Sequence, residues 1–145
     1  ARRLLATVPD LYILVLGDKS EAALGEAIAD GVEAPGRIFS LCGKTRIAEL
    51  PAVISGLDFL VTNDTGSLHI AIAVGIPTLS LFAATDPGSS GPYQDQDRHI
   101  VIAKPKPCGA ACVHKKCPLK PSCMTQITVA EVYQRSVEML PRKDP

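Results

Sequence analysis

Asp64, Thr65, Ser67 and His69 crowd around Gly66, inside the stretch DFLVTNDTGSLHIAIAVGIPTLSLFAATDP at residues 58–87. A carboxylate and two hydroxyls supply acceptors, the hydroxyls and an imidazole supply donors, and a glycine lets a ligand approach the backbone. If these residues sit where a strand turns into a helix, unpaired backbone N–H groups and the positive helix end add a preference for a phosphate or another negative group. Read alone, Asp-Thr-Gly is also an ordinary helix start whose Asp and Thr cap the first turn. Both readings place the same residues at the same turn.

The flanking residues set the elements that must position this turn. Asp58 to Thr62 is an apolar run of strand length, and Asn63 to Gly66 supplies turn chemistry. Leu68, Ile70, Ala71, Ile72, Ala73 and Val74 then give a compact buried helix. Gly75 stops it, and Pro77 opens the next apolar run, to Phe82. The same grammar occurs upstream. LYILVLGDKSEAALGEAIAD reads as strand, Gly-led loop and amphipathic helix, and RIFSLCGKTRIAELPAVISGLDFL repeats the pattern. The alternation predicts an α/β fold: a Rossmann-like three-layer sandwich with a parallel sheet, strands near 11–16, 37–41, 58–62, 77–82 and 99–103, and helices on both faces. Its ligand edge gathers residues 17–21, Gly43-Lys44, residues 64–69 and the loop from Thr85. A final amphipathic helix is expected over 125–140, with Ile127, Val129, Val132, Val137 and Leu140 on its apolar face. Thr128 and Glu131 form a capping-box pattern at its start, and Pro141 ends it.

The words NDTGSLHIAIAVGIPTLSLFAATDPGSSGPY resemble the signature of the heptosyltransferases, the family nine glycosyltransferases, over about thirty positions without a gap. Members of that family move a heptose from ADP-heptose onto the inner core of lipopolysaccharide. The resemblance implies that residues 1–145 are the donor-binding half of a two-domain GT-B enzyme. It further implies that the amino-terminal acceptor domain, where the family's general base is expected, is absent from this chain. It carries donor binding onto Asp64, Thr65, Gly66 and His69, with residues 85–93, TDPGSSGPY, as a second donor-side loop. Gly66 and Thr65 would meet the diphosphate, His69 would donate to a phosphate oxygen as the leaving group gains charge, and Asp64 would accept from sugar hydroxyls, since like charges repel. The family's glutamate after the first glycine loop corresponds to Glu21. Ribose or sugar binding and a solvated first-turn residue are both open for it. Lys44 is a further candidate for the nucleotide, against the plainer reading of a solvated loop lysine. The implied reaction inverts at the anomeric carbon with ADP as leaving group. The isolated domain is expected to be inactive.

Five cysteines need an account. Cys42 stands alone, while Cys108, Cys112, Cys117 and Cys123 follow the spacing C-x3-C-x4-C-x5-C. Four thiolates in one loop could hold a structural zinc, but the CxxC knuckle is missing, so reduced thiols or a disulfide compete with a metal site. The resemblance requires no cofactor. His114, Lys115, Lys116 and Lys120, with Lys104 and Lys106 upstream, could meet phosphorylated sugars of an acceptor or simply keep a loop solvated. A cysteine-rich interaction module without catalysis, and a donor site for another nucleotide sugar, are the alternatives left by the residues.

Composition narrows the partners. A chain of 145 residues with zero formal net charge and no Trp offers neither the basic surface nor the stacking platforms of a nucleic-acid binder. No apolar run approaches the roughly twenty residues of a membrane span, and the start ARRLLATVPD lacks the core of a secretory signal. The expected location is the cytoplasm. For a full-length enzyme with a lipopolysaccharide-core acceptor, the expectation extends to peripheral association with the inner face of the inner membrane.

Overall fold

A computed structural model describes residues 1–105, 108 and 123–140. The chain divides into two compact units, Ala1–Leu50 and Pro51–Pro145. Each is α/β, with parallel strands alternating with helices.

The first unit begins with helix α1 (Arg2–Thr7), followed by strand β1 (Ile13–Val15), helix α2 (Ala22–Asp30) and strand β2 (Ile38–Ser40). β1 and β2 pair in parallel, with Ile13 opposite Ile38 and Val15 opposite Ser40. Leu5, Ala34 and Ile38 form the buried centre, with Leu11, Ile13, Val15, Ala29 and Val32 packed on it. Arg37 holds α1 to this core: its guanidinium donates to the carbonyls of Leu5, Val8 and Pro9 at 2.7–3.1 Å. These carbonyls sit at and beyond the helix end, where backbone acceptors lack helical partners and a cation is favoured. Gly25 of α2 is buried because the helix lies close over β2. A Cβ there would come within 2.5 Å of Cys42 Sγ and 2.7 Å of Ser40 Oγ.

The second unit carries helix α3 (Leu50–Ser55), which starts at the boundary, then strand β3 (Leu60–Asn63), helix α4 (Gly66–Ala73) and strand β4 (Thr78–Phe82). Short helix α5 (Pro87–Ser90), strand β5 (His99–Ala103) and helix α6 (Val129–Met139) follow. The three strands form one parallel sheet in the order β3-β4-β5, with β4 in the middle. Position explains burial: Thr78, Leu79 and Ser80 of the central strand are fully buried. Leu68 and Ile72 of α4 pack against Phe82 of β4. That contact places the start of α4 just beyond the carboxyl end of β3.

The expected strands are all present, but the pairing divides them into a two-stranded and a three-stranded sheet. β3 starts two residues later than predicted and runs on through Asn63, so the turn is shorter than the polar letters suggest. α4 ends as Gly75 requires. Gly75 has φ +76°, its N–H reaches the Ile72 carbonyl, and the Ile76 N–H reaches that of Ala71, a Schellman closure that few residues other than glycine allow. At α6, Thr128 accepts from the Glu131 N–H as expected, but the Glu131 carboxylate meets Lys104 Nζ at 2.6 Å rather than completing a capping box. Val129, predicted on the apolar face, is 77% exposed, and the buried residue of the helix is Ser136. Ser136 enters the apolar side because its hydroxyl is satisfied by the Val132 carbonyl at 2.8 Å.

His99 begins β5 beside Thr78, its Nδ1 2.9 Å from the Thr78 hydroxyl. Burial, reinforced by the neighbouring Arg98 charge, lowers its pKa below the ordinary histidine value, outweighing the opposing pull of Asp95 and Asp97. As pH falls through the interval between the ordinary value of about 6.5 and the lower folded value, the unfolded chain takes up a proton that the folded chain refuses. This contribution to stability is complete above that interval and is lost on acidification through it. Urea midpoints for the native chain and His99→Gln, taken at neutral pH and on the acid side of the interval, should show a smaller acid-induced loss in the variant.

Candidate functional site

The turn after β3 has the geometry of an anion site. Thr65 occupies the N-cap position of α4 but makes no side-chain hydrogen bond to the helix. Its hydroxyl lies 3.3 Å from that of Thr62 instead. The Leu68 N–H is taken by the Thr65 carbonyl at 3.0 Å, while the Gly66 and Ser67 N–H groups lack the side-chain cap that would normally engage a first-turn donor. Gly66 faces open space, with nothing within 4 Å of where a Cβ would stand. The polar side chains therefore do not close the helix start; they surround it.

Asp64 is held at one oxygen and faces His69 with the other. Ser90 Oγ donates to its Oδ2 at 2.9 Å, and His69 Nε2 stands 3.9 Å from its Oδ1. The Asp64 side chain is only 14% exposed, against 49% for His69. The separation from His69 exceeds a hydrogen bond, so attraction there requires the protonated imidazole.

The second predicted loop meets the same histidine. His69 and residues 87–93, with Gln96, line a cleft of about 550 Å³. Asp86 shapes the loop by accepting from the Gly88 N–H at 3.3 Å and the Ser89 hydroxyl at 2.9 Å. Pro87 stands at the first position of α5, where its missing N–H costs nothing. Asp64, Gly66 and His69 are thus brought to one turn, with Thr65 beside them. Sequence reasoning missed Ser90, because the two serines of TDPGSSGPY are alike as letters and only the fold joins one of them to Asp64, 26 residues away.

Glu21 and Lys44 belong to the first unit, on loops that run side by side, with the Gly43 N–H donating to the Gly17 carbonyl at 2.9 Å. Each side chain has a partner within the unit. Glu21 Oε2 accepts from the Asp18 N–H at 2.9 Å and completes a capping box with Asp18. The Ser20 hydroxyl and N–H donate to the Asp18 carboxylate, holding its pKa below the usual range. Lys44 Nζ bridges Glu26 Oε1 and the Ser40 carbonyl, both at 2.9 Å, on the wall of a recess of about 610 Å³ that also includes Phe39.

Of the four clustered cysteines, Cys112 and Cys117 lie outside the described residues, as do His114, Lys115, Lys116 and Lys120. Cys108 is exposed, and Cys123 opens a short 3-10 turn. Among the described residues no three His, Cys, Asp or Glu side chains group as metal ligands, and no helix is long and apolar enough to cross a membrane.

Known proteins share both the sequence and the fold. The sequence model of glycosyltransferase family 9 (heptosyltransferase) matches residues 10–122. Lipooligosaccharide heptosyltransferase 2 of Campylobacter jejuni is 32% identical over 102 residues, which cover 68% of this chain and 31% of that protein. The chain thus spans about a third of the length of this relative. The structure of Escherichia coli ADP-heptose lps heptosyltransferase II superimposes with a TM-score of 0.73 at 20% identity, covering 95% of this chain and 39% of that one. The E. coli heptosyltransferase WaaC with ADP does so with a TM-score of 0.68 at 24% identity, covering 96% and 38%. These two likenesses are of fold, the α/β architecture of GT-B enzymes. With its family signature matched along most of its length, the chain belongs to glycosyltransferase family 9, the heptosyltransferases.

Proposed function

We propose that this chain is the donor-binding part of a heptosyltransferase. It would hold ADP-heptose by its diphosphate while the heptose passes to the inner core of lipopolysaccharide. The observation that carries this reading is the cleft where His69 meets the Pro87–Pro92 loop, beside a helix start that its N-cap side chain, Thr65, does not cap. The Gly66 and Ser67 N–H groups would receive phosphate oxygens, and the positive end of α4 favours their charge. His69 would donate to the oxygen that gains charge as the glycosidic bond breaks, so its contribution grows toward the transition state. Asp64, which already accepts from a serine hydroxyl, is suited to accept from sugar hydroxyls.

The relatives support the substrate class. One protein of the same fold has been solved with ADP, and the similar Campylobacter protein is a heptosyltransferase. Acceptor binding and the general base would come from the remainder of a full-length enzyme, working in the cytoplasm at the inner face of the inner membrane. No protein-held cation enters this reading.

Calorimetric titration with ADP, beside UDP and GDP, tests it. Saturable ADP binding is expected, together with a weakening of about ten- to hundredfold in His69→Ala, the scale of a lost hydrogen bond to a charged group. A chain that binds none of the three, or binds ADP equally well without His69, would overturn the assignment.

A further inference from the structure

We infer that Ser90 is a positioning residue of the donor site, acting through Asp64 on His69. This rests on the donor-site reading above and adds to it a residue that the Asp-Thr-Gly and His positions do not include. Ser90 Oγ donates to Asp64 Oδ2 at 2.9 Å, while the other oxygen of the same carboxylate faces His69 Nε2 at 3.9 Å. A carboxylate held at one oxygen has lost its free rotation, so the direction in which it presents the second oxygen is fixed. His69 itself is half exposed, and among the described residues it has no hydrogen bond to keep its ring in one orientation.

The arrangement does two things for an incoming diphosphate. It turns the Asp64 carboxylate toward Nε2 of the imidazole, leaving Nδ1 as the ring nitrogen that can donate to a phosphate oxygen. It also covers part of the carboxylate with a hydroxyl, which weakens the repulsion between Asp64 and the ligand. Ser90 is well placed for this because its backbone is fixed independently. Asp86 caps the turn that carries Ser90, the Ser90 and Gly91 N–H groups reach the Asp86 and Pro87 carbonyls, and a Cβ at Gly91 would come within 2.3 Å of the Pro87 oxygen. The loop can therefore tie the second wall of the cleft to the anion turn with one side chain.

Ser90→Ala should weaken ADP binding about three- to tenfold, less than the loss of a hydrogen bond to a charged group made directly with the ligand, because Ser90 acts on the ligand only through Asp64 and His69. Ser90→Thr, which keeps the hydroxyl, should bind nearly as the native chain. The decisive readout is the double variant. Placed in the His69→Ala background, Ser90→Ala should add little further loss, because the residue it positions is gone. The His69 ring resonances should also move in Ser90→Ala and return in Ser90→Thr, a readout that a loss of stability alone would not produce. Native ADP affinity in Ser90→Ala, or equal losses in both backgrounds, would overturn the role of Ser90 while leaving the donor site standing. Absence of ADP binding by the native chain would overturn both.

Discussion

Adding a single methyl group at Gly66 is expected to reduce ADP affinity about ten- to hundredfold while leaving the fold as stable as before or slightly more so. The two effects separate because the position is crowded only when a ligand is present. Among the described residues no atom beyond its chain neighbours and its own helix backbone lies within 4 Å of the new Cβ, and Gly66 is absent from the glycines with positive φ, so alanine meets neither a clash nor backbone strain. Replacing glycine where the backbone tolerates it restricts the unfolded chain and gains about 0.4–1 kcal/mol. A diphosphate seated on the first-turn N–H groups would find that methyl in its own space, and overpacking of this kind costs about 1–3 kcal/mol. Gly66→Val should enlarge the effect. Melting curves and ADP titrations of the same samples check both halves. Unchanged affinity would mean that the space beside Gly66 is solvent and nothing more.

The second large effect concerns the support beneath the turn. Phe82→Ala should destabilise the second unit by about 3–5 kcal/mol, the range for emptying a buried aromatic site. Phe82 is 1% exposed and packs with Leu68 and Ile72 on the inward face of α4. Its loss would leave a cavity directly under the helix whose first turn is the proposed anion site. Chemical denaturation should report the stability loss, and ADP affinity should fall with it, because α4 would no longer be held firmly against β4. A loss below 1 kcal/mol would show that the cluster collapses around the gap and does not fix the helix.

The parts of this fold that were legible in the sequence are those governed by near neighbours. Gly75 at a helix end and the apolar run that becomes the centre of a sheet follow from local sterics and burial, and both are where the letters place them. Boundaries were less legible, since β3 keeps Asn63 in its ladder with Leu81, although asparagine in isolation favours a turn. Val129 was misread: it is the first residue of α6 and stands exposed, although the apolar spacing puts it with the buried positions. Side-chain partners were the least legible. Glu21 turning back to Asp18, Lys44 reaching Glu26 and Ser90 meeting Asp64 each depend on which rotamers the tertiary fold leaves open. The candidate site was thus readable as a set of residue types at one turn. The tie between that turn and the second loop was not, because it spans 26 positions and rests on one of two adjacent serines.

Backbone amide mapping of the isotope-labelled chain during an ADP titration tests the central claim most directly, since the site is defined by which N–H groups meet the phosphates. The largest saturable shifts are expected at Gly66, Ser67 and His69, with a second set on the loop from Pro87 to Tyr93. Saturable binding that leaves residues 66–69 unmoved, or no saturable shift anywhere, would contradict the placement of the donor diphosphate at the start of α4.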